Sequence, residues 1–306
     1  MTYEELTSEL TWTPSPTSVP TISRHIVVGG MGGSTLPAYA LRFFDPAFPI
    51  SVHHDYDLPE NASADALYVA LSYSGSTAET LSFARAALKR GFSLAIIASG
   101  GELGELAKEK NLPFVEIPSG LQPRNALFYQ LRALLALIKR DDPLAKVSFD
   151  PSSAEKEAEA LAKTLTDALP IFYASRANGF LAYVAKIHMN EGAKMPAFAD
   201  LFPELNHNEM QSFDTMAPKA VAALARFVLF YDENDDARIT KRMNLFADLM
   251  RERGRSVTTV TLSGTSRAEK LVRTWYLLHR TAVSLAERRG IDPNAIPLIE
   301  DFKRRL

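Results

Sequence analysis

Four short segments of the chain combine small residues and polar groups in the way a phosphate-binding crevice requires. The first is Gly29-Gly30-Met31-Gly32-Gly33-Ser34. Most of its side chains are too small to keep a ligand from the backbone, and a helix starting near Ser34 would aim unsatisfied N–H groups at a negative charge. The second is Ser72-Tyr73-Ser74-Gly75-Ser76-Thr77, followed by Glu79 and an amphipathic stretch. Hydroxyls then gather at one helix N-terminus, where the peptide dipoles favour an anion. The plain alternative is that one hydroxyl caps the helix and the others face solvent. Two more polar turns follow, Ser99-Gly100-Gly101 and Gln122-Pro123-Arg124. A dinucleotide fingerprint would need Gly at the position of Thr35, and no P-loop lysine follows the hydroxyl cluster, so the ligand expected is one small monophosphate.

These segments need elements to hold them. Short apolar runs at 25–28, 50–53, 66–71, 93–98 and 114–117 read as strands, and 77–89, 104–110 and 125–139 as helices, the alternation expected of parallel strands with crossover helices. The polar segments then leave the carboxyl ends of strands, where open α/β sheets place ligands, and should converge on one crevice. The stretch 141–153, with Asp141, Asp142, Pro143, Asp150 and Pro151, suits an interdomain connection. We therefore expect two domains, 1–147 and 148–306, with 1–21 as an irregular lead. The second half repeats the rhythm, with a helix at 155–167, strands at 171–174, 221–230 and 256–262, an amphipathic helix at 267–288 and a short one at 297–306. Leu271, Trp275, Leu278 and Val283 recur near helical spacing and read as a core face. The class is α/β, with two domains, each a mainly parallel sheet flanked by helices, compatible with an old duplication.

The composition of the 306 residues, 46% apolar and 23% charged, is that of a folded globular protein. The absence of cysteine excludes disulfides, zinc-thiolate sites and thiol nucleophiles. A net charge of −2 with both signs dispersed speaks against nucleic acid as a partner. No apolar run approaches the roughly 18 residues of a membrane span. The N-terminus lacks the basic start and apolar run of a signal peptide, so a cytoplasmic protein is expected. His53, His54, His188 and His207 form no local ligand spacing, so neither a metal nor another cofactor is expected.

The loops Gly29 to Thr35, Ser72 to Thr77, Ser99 to Gly101 and Gln122 to Arg124 closely resemble the sugar isomerase (SIS) fold. His188-Met189-Asn190-Glu191 and Asn206-His207-Asn208-Glu209 resemble the catalytic segments of the bifunctional phosphoglucose/phosphomannose isomerases. The six segments stand in that family's order, from about Val27 to the end of the chain. The resemblance implies two SIS domains and a homodimer with active sites between subunits. It implies that Ser72, Ser74 and Thr77 hold the substrate phosphate and that Gly32, Gly33 and Ser34 line the sugar. It also implies Glu191 as base, His207 as ring-opening histidine, Arg124 as active-site arginine and Lys303 as C-terminal lysine. The chain departs from the pattern at Ser76 and Gly192, where Asn is common.

The activity so implied interconverts glucose 6-phosphate and fructose 6-phosphate, with mannose 6-phosphate as a further candidate, and makes the chain an intramolecular oxidoreductase. Ring opening needs an acid/base at the ring oxygen. Proton transfer between C1 and C2 through an enediolate needs a carboxylate, and the developing oxyanion needs a cation. Glu191 follows the apolar stretch 180–187, His207 sits in a polar turn, and the planar fork of Arg124 suits an oxyanion. Two rivals stand beside this reading. One is a sugar-phosphate-binding regulator on the same fold, which would have no use for the base and the ring-opening acid. The other is an SIS isomerase of a different sugar phosphate.

Overall fold

The computed structural model describes residues 1–21, 23–216 and 218–305. The chain divides into two units, Met1–Val147 and Ser148–Leu306. The first unit opens with a correction, because the lead expected to be irregular begins as helix α1 (Tyr3–Thr11). Its cause is local. The Glu5 N–H donates to Thr2 Oγ1 at 3.2 Å and the Thr2 N–H to Glu5 Oε2 at 2.6 Å, a reciprocal capping box that satisfies two donors at the helix start. Leu6 and Glu9 form its buried face.

After α1 come β1 (His25–Gly29), α2 (Leu36–Phe44), β2 (Ile50–His53), β3 (Ala66–Leu71), α3 (Ala78–Lys89), β4 (Ser93–Ala98), α4 (Gly101–Glu109), β5 (Phe114–Glu116) and α5 (Leu127–Leu137). The five strands are parallel, in the order β2-β1-β3-β4-β5. Central β3 is buried along its whole length, as a parallel strand covered on both faces must be. One core cluster joins Tyr68, Phe83, Leu94 and Leu103. The helix expected at 104–110 starts at Gly101, where the Leu103 N–H finds the Gly75 carbonyl at 2.9 Å. The helix expected at 125–139 is preceded by a 3-10 turn, Pro123–Asn125, and begins at Leu127.

The second unit contains α6 (Pro151–Leu165), β6 (Leu169–Ser175), α7 (Gly179–Ile187), β7 (Phe198–Phe202), α8 (Lys219–Leu224), β8 (Ala225–Tyr231), α9 (Ala237–Glu252), β9 (Ser256–Thr261), α10 (Arg267–Arg288) and α11 (Pro297–Arg305). Its strands are parallel, in the order β7-β6-β8-β9. The strand expected at 221–230 is corrected at its start. Residues 219–224 are rich in Ala, the strongest helix former. Val221 and Leu224 are 50% exposed, so their apolar character does not mark a buried strand. Edge strand β7 has no counterpart in the sequence expectation. Of the helix expected at 297–306, Leu306 lies outside the described residues. Tyr173 packs on Phe202, Phe227 and Phe246 at ring separations of 6.0, 5.6 and 5.4 Å. Leu271, Trp275, Leu278 and Val283 of α10 are all buried.

Glu9 of α1 is fully buried at the start of α5, where its Oε2 accepts from the Phe128 N–H at 3.0 Å and the Tyr129 N–H at 3.2 Å. Arg132 of α5 donates in return to the Glu9 and Leu10 carbonyls. Burial pushes the Glu9 carboxyl well above the usual range, against the pull of the two N–H groups. An acid whose folded-state pKa is raised contributes stability fully present below its unfolded value and lost as pH rises through the folded value. We therefore expect Glu9→Gln, which keeps an acceptor and cannot ionise, to gain melting temperature relative to wild type between pH 5 and 8. A difference between the two that stays constant across this range would refute the expectation.

Candidate functional site

In the first unit the polar loops at the carboxyl ends of the strands are tied together by Tyr73, which follows β3 by two residues. Its N–H donates to Ser34 Oγ at 3.0 Å, reaching the loop after β1. Its carbonyl accepts from the Ser99 N–H at 2.9 Å and from Ser99 Oγ at 2.6 Å, reaching the loop after β4. Its phenol donates to the Pro118 carbonyl at 3.1 Å and accepts from the Leu121 N–H at 2.9 Å, reaching the loop after β5. The loops also touch backbone to backbone. A Cβ on Gly33 would lie 2.6 Å from the Arg124 nitrogen, and one on Gly75 would lie 1.8 Å from the Gly100 oxygen. Only glycine permits these approaches.

The hydroxyls divide into two groups. Ser72 is 1% exposed, its Oγ shares a hydrogen bond with Thr77 Oγ1 at 2.9 Å, and it accepts from the Gly75 N–H at 3.2 Å. Ser34 is likewise buried and committed to Tyr73. Both therefore shape the loop. Ser74 and Ser76 are exposed and Thr77 is half-buried at the N-cap of α3, where no side chain caps the helix. The capping alternative thus fails, and the start of α3 carries accessible hydroxyls; Gly32 of the first loop is exposed as well.

Arg124 sits in the turn Pro123–Asn125 and is 3% exposed. Gln130 of α5 fixes this turn by donating to the Pro123 and Ala126 carbonyls at 3.0 and 3.1 Å. Beyond the turn, Glu9 occupies the first N–H groups of α5. The structure thus brings Gly33, Ser34, Ser72, Ser74, Thr77 and Arg124 together at one end of one sheet. Tyr73 and Glu9, which hold them there, were not among the expected residues. Tyr73 lay inside a recognised segment, but only its long-range partners reveal its role.

In the second unit Glu191, His207 and Lys303 stand on separate elements. Glu191 is half-buried on a π-helical turn, His188–Ala193, that continues α7. Below it His188 is buried against Trp275 and His279 of α10, at 5.2 and 5.5 Å between ring centres. Burial and then the Glu191 charge push the Tyr183 hydroxyl up. Gly192 lies under α10, and a Cβ there would come within 3.0 Å of that of Ala282. A larger residue there would crowd this contact. Exposed His207 ends the 3-10 turn Glu204–His207. Two residues on, Glu209 Oε1 accepts from Tyr173 Oη at 2.6 Å. Burial raises the Glu209 carboxyl, Tyr173 opposes this, and a hydrogen bond with Asp200 adds to it. Lys303 is exposed on α11, a helix without buried residues.

The strand ends of the second sheet carry buried and half-buried carboxylates. Asp232, directly after β8, is buried in an ion pair with Lys270 of α10 at 2.6 Å. Burial raises Asp232, but Lys270 and the Asn234 N–H outweigh it and leave the carboxyl below its usual range. Ser175 donates to Asp235 at 2.6 Å, and Asn178 Nδ2 bridges Asp232 and Asp235 at 3.3 and 3.1 Å.

Residues 154–306 match the family model of the bacterial phospho-glucose isomerase C-terminal SIS domain. The bifunctional phosphoglucose/phosphomannose isomerase of Caldicellulosiruptor bescii is 34% identical over 303 residues, covering 92% of this chain and 89% of that one. The protein of the same description from Thermoplasma volcanium is 33% identical over 294 residues, covering 92% and 91%. The chain belongs to the bifunctional phosphoglucose/phosphomannose isomerase family. A solved structure, that of a hypothetical protein from Thermus thermophilus, shares the fold with a TM-score of 0.74 at 18% identity, over 92% of this chain and 83% of that one. Among the described residues no group of three or more His, Cys, Asp or Glu could hold a metal ion, and no helix is long and apolar enough to cross a membrane.

For this family member the accessible hydroxyls carry a direct expectation. Each hydrogen bond to a charged phosphate contributes roughly 1.5 to 3 kcal/mol. Replacing Ser74 and Thr77 together by Ala should raise KM for a hexose phosphate by at least about tenfold, or roughly 1.4 kcal/mol. Neither hydroxyl caps α3, but Thr77 Oγ1 bonds the buried Ser72 Oγ, so the melting temperature should fall modestly. Unchanged affinity by calorimetry with a weakened fold would make the pair structural.

Proposed function

We propose that the chain is an aldose-ketose isomerase that interconverts glucose 6-phosphate and fructose 6-phosphate and also accepts mannose 6-phosphate. The observation that carries this reading is the start of α3, left without a side-chain cap beside Ser74 and Thr77, in a member of the phosphoglucose/phosphomannose isomerase family. Phosphate binds there, with Ser72 and Ser34 shaping the loop and Gly32 and Gly33 leaving room for the sugar.

In the proposed mechanism His207 moves the proton that opens the ring, with Lys303 assisting at the ring oxygen. Glu191 then carries a proton between C1 and C2, and Arg124 faces the enediolate oxygen. A guanidinium suits that task because it keeps its charge when buried and offers donors in a plane. The active protein is proposed to be a homodimer with active sites between subunits, working in the cytoplasm, a reading that rests on the family. No metal or other cofactor takes part, because side chains serve every proton transfer.

Glu191→Gln keeps shape and loses the base, so kcat should fall by on the order of 10² to 10⁴ while calorimetric affinity for the sugar phosphate persists. A Gln variant with wild-type kcat would end the assignment. Exhaustive treatment with EDTA should leave activity unchanged, and loss restored by a divalent ion would overturn the metal-free mechanism.

A further inference from the structure

The turn that carries Glu191 is held by a side chain to which the reaction as described gives no part. A π-helical turn closes wider hydrogen bonds than an α-helix, and its last carbonyls need partners from elsewhere. Here Lys194, immediately after the turn, supplies them. Its backbone adopts φ 55 and ψ 42, a left-handed conformation uncommon for a residue with a side chain. That conformation ends the turn, and the side chain returns over it. Lys194 Nζ donates to the carbonyl of Glu191, to that of Gly192 at 3.4 Å and to that of Pro293 at 3.0 Å. The next carbonyl, of Ala193, accepts from Arg289 Nη1 at 2.7 Å. Consecutive carbonyls of the base-bearing turn are thus taken by cations. Through Pro293 the same ammonium reaches the segment 290–296 that leads into α11, the helix of Lys303.

We infer that Lys194 is a positioning residue for the isomerisation: its ammonium fixes the backbone of Glu191 and ties it to the segment that delivers Lys303, so that base and C-terminal lysine are placed by one group. The inference rests on the assignment of Glu191 as base. Losing the ammonium leaves the phosphate loops of the first unit untouched, so substrate capture should persist while proton transfer suffers, because a small misplacement of a general base costs rate.

The test is steady-state kinetics and hydrogen exchange on full-length Lys194→Met, with Glu191→Gln beside it. Lys194→Met should lower kcat at least tenfold with KM within threefold of wild type, and should speed amide exchange across both 188–196 and 290–296. Lys194→Arg, which retains charge and reach, should recover part of the lost kcat. A Lys194→Met protein with kcat within twofold of wild type, or one that loses KM alone, overturns the inference. If Glu191→Gln is inactive while Lys194→Met is normal, only the positioning role fails. If Glu191→Gln is fully active, the base assignment fails. Should Lys194→Met not fold, Lys194→Gln replaces it, with the same kcat threshold deciding.

Discussion

Everything proposed for the first unit depends on the hydrogen bonds of Tyr73. A parallel sheet delivers loops to one edge but does not fix them to each other, because each belongs to a different strand and crossover. Tyr73 offers three bonding groups, an N–H, a carbonyl and a phenol, and each goes to a different loop. Buried hydrogen bonds of this kind contribute modestly when made and cost more when one partner is lost. The loops therefore tend to hold or loosen as a set, and the accessible hydroxyls keep their place at the start of α3.

The α/β class, the division of polar loops among strand ends and the exposed hydroxyls were legible because each is written locally. Apolar runs mark parallel strands, and Ser74 and Thr77 announce themselves by standing before an amphipathic helix. The missing pieces are those whose meaning lies far along the chain. Glu9 falls in a lead that reads as irregular, yet it finds its partners at Phe128 and Tyr129. Ser72 and Ser74 are the same residue type two positions apart, and it is the bend at 73–75 after β3 that leaves one inside and the other out. The helix at 219–224 was hidden by Val221 and Leu224, apolar residues that suggest a strand until their exposure is known.

Glu209 illustrates a similar limit in the second unit. It belongs to a segment that resembles a catalytic one, and that resemblance draws the eye to His207. The neighbouring carboxyl is engaged with Tyr173 and Asp200, so the segment is anchored by one residue and presents another.

The two sheets share a parallel layout, yet the first ends in accessible hydroxyls and the second in a buried network built on the Lys270–Asp232 pair. If they descend from one ancestral half, this difference is hard to reverse. Removing either member of a buried ion pair leaves an uncompensated charge, at a cost of about 3–5 kcal/mol, so each single substitution back toward an anion-binding floor passes through an unstable protein. Specialisation of the halves then behaves as a ratchet. Drift can vary the rim of the second crevice, but its floor changes only when two codons change together.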